Sequence, residues 1–141
     1  MSDTSEKEPP RISQSHPDAA NLLLKLSEWR RDSDMRKARR WLDTLYRPLP
    51  CDEWDKKHPY GSEPDRYFRM VTGHWQTMAV FWKEGYLPAS LIFQTTREFR
   101  RTWEKCADFI DDRRAQGYGA TYLKEWEELC DAFDAWLDEQ E

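Results

Sequence analysis

Residues 62–85, SEPDRYFRMVTGHWQTMAVFWKEG, carry both ends of a long helix and the face it buries. Ser62-Glu63-Pro64-Asp65 is a start signal: a capping Ser, a Pro in the first turn and an acid three residues after the cap. Phe68, Val71, Trp75, Met78 and Trp82 then recur at spacings of three and four, which line up on one side of a helix. Gly85 follows where a left-handed residue closes such a helix.

Toward the C-terminus, Pro88 opens a second helix carrying Leu91, Ile92, Thr95, Phe99, Trp103, Cys106 and Ile110, and Gly117 and Gly119 close it. Thr95 or Thr96 can recap it internally, which predicts a kink near Gln94. A last helix sets Tyr122, Trp126, Leu129, Phe133 and Trp136 on one face. Toward the N-terminus, Leu22, Leu23, Leu26 and Trp29 repeat at helical spacing behind Asp18 as a cap. Ser33 caps a helix with Met35, Ala38, Leu42 and Leu45 that must stop before Pro48 and Pro50. Pro48 to Gly61 reads as a long loop, the first to suspect of function. No segment alternates with period two. The expected fold class is all-α, a bundle of about five helices with the last three long and roughly antiparallel. Residues 1–17, rich in Ser, Glu, Lys and Pro, are expected as a disordered tail, and 18–141 as a single helical domain.

Hydrophobic residues make up 38% of the 141, against roughly 45–50% in an ordinary domain, so the core must lean on rings: eight Trp, six Tyr and six Phe. No apolar run is long enough to span a membrane, and the polar N-terminus has no secretory h-region. Cys51, Cys106 and Cys130 are odd in number and far apart, which fits a reducing compartment; the expected location is cytoplasmic. The net charge of -5 is uneven: residues 25–47 hold eight basic and four acidic side chains, and 120–141 hold eight acidic and one basic.

The succession Gly85-Tyr86-Leu87, Trp103, Phe109-Ile110, Arg113-Arg114, Tyr122 and Trp126-Glu127-Glu128-Leu129, with Arg39-Arg40-Trp41-Leu42 upstream, resembles a bacterial family described only as a domain of unknown function. The resemblance covers roughly residues 20–135. It implies a small helical domain, in some members following one or two transmembrane helices that this chain's sequence does not show. It implies no reaction and carries no catalytic residues.

Tests for chemistry return little. His16, His58 and His74 are isolated and the cysteines lie far apart, so neither a metal nor a cofactor is expected. Arg69 and His74, four residues between them in an all-helical chain, resemble the active motif of a family of helical ribonucleases, where the His would exchange protons and the Arg steady phosphate charge. With fourteen Arg and three His, chance supplies about one such match, and Met70 replaces the usual polar residue. The plainer reading puts His74 on the helix surface beside Trp75. Cys106 and Cys130 fall on apolar faces as core thiols, and Glu127 is expected to meet Arg113 or Arg114 across the last two helices. Two basic stripes, Arg30 to Arg40 and Arg97 to Lys105, face an ample supply of internal acids, so nucleic acid is not the favoured partner.

What remains is Trp and Arg, the residues favoured where proteins meet. The expectation is a non-enzymatic helical protein-interaction module, an adaptor or regulator. It would bind a protein partner or a second copy through Trp54, as an exposed anchor in the Pro-rich loop, with Trp41, Arg39 and Arg40. The alternatives are the ribonuclease with Arg69 and His74, or an acidic inhibitor docking its C-terminal helix on a basic partner.

Overall fold

The computed structural model describes residues 15–140. Among them are seven α-helices and no strand: α1 Ser15–Arg31, α2 Ser33–Thr44, α3 Cys51–Lys57, α4 Glu63–Lys83, α5 Ala89–Thr95, α6 Glu98–Arg113 and α7 Lys124–Glu139. A wide π-type turn, Arg114–Tyr118, finishes α6.

The all-α class stands and the count of about five is corrected twice. The presumed loop from Pro48 to Gly61 contains α3, which starts after Pro50 with Asp52 and Glu53 in its first turn and ends on Lys56 and Lys57. That order of charge complements the helix dipole. The helix expected from Pro88 to Gly117 is broken into α5 and α6 by Thr96, whose backbone is extended at φ -155°, ψ 148°. The Thr96 hydroxyl accepts from the Glu98 amide at 3.1 Å, so the recapping side chain and the break coincide. The tail boundary also moves. α1 begins at Ser15, because Pro17 in a first turn forfeits no intrahelical donor, and residues 1–14 of the expected tail lie outside the described residues. Asp32, not Ser33, caps α2, accepting from Asp34 N at 3.1 Å.

α4 occupies the middle of the bundle, packed against α2 and α7, with α6 against α7 and α3 against α6. Buried residues from α1 to α7 form one continuous cluster built on rings, with Trp54, Trp75, Trp126 and Phe99 almost wholly enclosed. The Trp126 indole donates to the Phe99 carbonyl at 3.0 Å, so its burial leaves no orphan donor. Among the described residues no helix is long and apolar enough to cross a membrane.

Two helix starts are completed by side chains from elsewhere in the chain. Asp112 of α6 accepts from Cys51 N at 2.8 Å, capping α3 in place of Pro50, which has no side-chain acceptor. Gln76 of α4 accepts from Trp126 N at 3.0 Å and donates to Glu125 at 2.6 Å, capping α7. Leu123, at the cap position of α7, holds the left-handed conformation at φ 57°.

Candidate functional site

Between α3, the first half of α4, the end of α6 and the start of α7 lies a cleft of about 730 Å³. Its floor is Trp54, Phe68 and Phe109, whose ring centroids lie 5.0–5.5 Å apart. Its walls carry Arg69, Arg113, Tyr60, Tyr118 and Tyr122.

Both arginines are held by rings and carboxylates. Arg113 makes two bonds to Asp55, at 3.0 and 2.6 Å, and lies 5.0 and 5.1 Å from the centroids of Phe109 and Tyr118. The paired guanidinium holds the Asp55 carboxyl below its usual range, and the carboxylate raises Arg113 in turn. Arg69 donates from Nε to Asp65 at 3.1 Å and stands 4.7 Å from the Tyr60 centroid. Asp65 is buried and also accepts from Gly61 N at 3.0 Å. The α4 start thus works through its acid. Ser62 stands at the cap, but its buried hydroxyl has no partner among the described residues. Burial pushes the Tyr122 phenol up to about 12, with Tyr118 adding to the shift, so it stays a neutral donor.

Gly73 faces the cleft from the interior of α4, where a glycine costs roughly 0.5–1 kcal/mol relative to alanine. A Cβ built there would meet nothing within 4 Å, so no neighbouring helix requires the glycine.

The residues singled out in the sequence scatter. Trp54 is not an exposed anchor: at 1% exposure it is the buried floor of the cleft, because α3 turns that face of the supposed loop inward. Trp41 is half-buried and meets Trp54 at 6.1 Å between centroids. Arg39 leaves α2 on the other side and donates to both oxygens of Glu98, at 2.8 and 2.7 Å, and to the Arg30 carbonyl at 3.2 Å. Arg40 is exposed. The four therefore form no common patch.

His74 is likewise not on the surface. It is 1% exposed, packed against Trp29 and Trp75, with Nε2 at 3.1 Å from the Leu26 carbonyl. Burial lowers its pKa to about 4, the largest cause, opposed by the Leu26 bond and helped by Arg30. Arg69 opens into the cleft and His74 lies under α1. Residues five apart on a helix stand about 140° apart, so the two do not converge.

Other expectations hold. Arg114 meets Glu127 at 2.8 Å. Cys51, Cys106 and Cys130 are free and buried, and burial raises the thiols of Cys51 and Cys106 to about 12. In the second basic stripe, Arg100 pairs with Asp134, Lys105 lies against the end of α2, and Arg97 stands over Phe133. Sequence reasoning missed the cleft. Its one local signal was Gly73, an uncapped glycine inside an otherwise strong helix.

An all-helical bundle with an aromatic-floored, arginine-lined cleft is the class of protein that the fold and this site define. The chain belongs to the family described as Domain of unknown function (DUF4760), whose profile matches residues 16–133. No curated protein matches the chain, and no solved structure does.

Proposed function

We propose that the chain is a non-enzymatic interaction module of the cytoplasm that takes a segment of a partner protein in the cleft beneath Gly73. The observation that carries this reading is the glycine itself. α4 gives up helix stability at a position that lines the cleft, and no packing neighbour requires it. The volume falls within the roughly 300–1,000 Å³ of ligand sites, with an apolar floor and a few convergent polar groups. Three free, buried cysteines fit a reducing compartment.

The alternatives draw less support. A ribonuclease would need a proton-exchanging group beside Arg69, and His74 lies on a different face of α4. An acidic inhibitor would need its C-terminal acids available, and Glu127, Glu128 and Asp134 already meet Arg114, Lys83 and Arg100.

The test is affinity capture from the source cells with the wild-type chain and with Gly73→Leu, read by quantitative mass spectrometry. The expected result is a stoichiometric partner lost with Gly73→Leu while helicity and unfolding midpoint are retained. A partner held equally by both chains would place the interface elsewhere, and a partner released by nuclease would make it a nucleic-acid interface.

A further inference from the structure

The hydrogen-bonding groups that line the cleft are unequally spent. Gln76 is used at both ends, and the Thr72 hydroxyl donates to the Phe68 carbonyl at 2.9 Å. Arg113 gives both its Nη groups to Asp55, and Asp65 accepts from Gly61 and Arg69. Among the described residues, the Nη1 and Nη2 of Arg69 donate to no protein acceptor, and the phenols of Tyr60, Tyr118 and Tyr122 make no hydrogen bond. Among the described residues the largest unspent donor capacity is thus the planar Nη pair of Arg69, with the Nε–H of Arg113 and hydroxyls beside it above three aromatic rings; Asp65 Oδ1 and the Gln116 side-chain oxygen are unspent acceptors.

We propose that the cleft recognises an Asp or Glu side chain next to an apolar or aromatic one in the partner's segment, with Arg69 as the anchor. This rests on the reading of the cleft as a partner site. The open Nη edge of a guanidinium matches the two oxygens of a carboxylate. Arg69 is tethered through its Nε to a buried carboxylate, and its guanidinium carbon lies 4.7 Å from the Tyr60 centroid, so part of the cost of ordering it is already met. The neighbouring apolar side chain lies on Trp54, Phe68 and Phe109.

Charge selects against a phosphate. Arg69 and Arg113 are each matched by a carboxylate, Asp65 and Asp55, so the cleft holds no uncompensated positive charge to balance a dianion. A monoanion adds one charge, at the unbonded Nη pair of Arg69.

The experiment pans a random linear peptide display library, with no free peptide C-terminus, against immobilised wild-type chain, Gly73→Leu, Arg69→Gln and Arg69→Lys. Wild type is expected to enrich peptides with an acid beside a Phe, Trp or Leu. Arg69→Gln should lose the acid and keep the apolar preference. A synthetic enriched peptide should lose roughly tenfold in affinity when its acid becomes the amide, and Arg69→Lys should recover only part, since the charge returns without the planar pair. Enriched peptides without an acid, or an acid preference that survives Arg69→Gln, would overturn the assignment and leave the cleft reading intact. Absence of enrichment, or equal enrichment on Gly73→Leu, would overturn both.

Discussion

The two sides of α4 are made of similar residues and put to opposite use. Under α1, a cation, a carboxylate and rings close on one another: Arg39 is clamped by Glu98, and His74 sits between Trp29 and Trp75 with a single bond to Leu26. Around the cleft, Arg69 and Arg113 also have a carboxylate and rings each, yet the space above them stays open. The difference lies in what stands over the helix. Leu26 and Trp29 of α1 cover His74, whereas Gly73, one residue earlier, has no side chain and lines the cleft. Enclosed and fully bonded, a polar group adds to rigidity, as Arg39 does on Glu98 and the Arg30 carbonyl, although His74 Nδ1 is enclosed with no partner among the described residues; a group left half-paired beside a cavity is available to a ligand.

The comparison breaks most sharply at Trp54, where the cleft floor is also core. Its ring meets those of Trp41, Tyr46, Phe68 and Phe109. Trp54→Ala is expected to cost about 3–5 kcal/mol in urea or thermal unfolding, while Tyr60→Ala at the exposed rim should change stability by less than about 0.5 kcal/mol. Equal effects would mean that floor and rim are not separate layers.

The closed side should be sensitive to acid. His74 has its pKa depressed to about 4 in the folded chain, against 6.5 when free. Between these values the unfolded chain binds the extra proton, so stability rises with pH there. The contribution is complete above pH 6.5 and is lost as pH falls through 4, amounting to about 3 kcal/mol. Burial is the main cause, and Arg30 and Arg39 oppose the charged ring while Glu98 favours it. Unfolding free energy of wild type minus that of His74→Gln should therefore fall across this window and stay level above it. A difference independent of pH would mean that the ring is not enclosed as described.

Ion pairs on the two sides should differ next. Glu98→Gln weakens two charge-assisted bonds between partly buried groups and should cost about 1.5–3 kcal/mol. Asp55→Asn, on a carboxylate 54% exposed, should cost less than about 1 kcal/mol. Chemical denaturation of the two variants at neutral pH orders them.

Local signals made the closed side legible and left the open side mostly hidden. The spacing of Phe68, Val71, Trp75 and Met78 located the buried face of α4, and Gly85, at φ 91°, marked its end. Glu127 and the adjacent arginines lie on sequential helices, so their meeting followed from helix register. The cleft depends on contacts between distant segments. Asp112 capping α3 and Gln76 capping α7 join residues about fifty to sixty apart, and no local pattern marks them. Three prolines and a glycine surround a helix of two turns, so the segment that forms α3 reads locally as loop and Trp54 as exposed. Histidine has no strong burial preference, so the sequence reads His74 as exposed; the position of α1 encloses it.

The smallest effect is the most specific, because its sign separates the two uses of α4. Gly73→Ala adds one methyl group in the interior of a helix, at a site where it touches nothing. If the cleft had no purpose, alanine would be the better residue there, and stability should rise by about 0.5–1 kcal/mol through helix propensity alone. Thermal unfolding should show that gain, and peptide titration should show weaker binding, with the methyl group standing where the ligand's side chain lies. A gain in stability with no change in binding would leave the glycine unexplained by the cleft. A loss of stability would mean that α4 is covered at this position after all, and that both of its sides are closed.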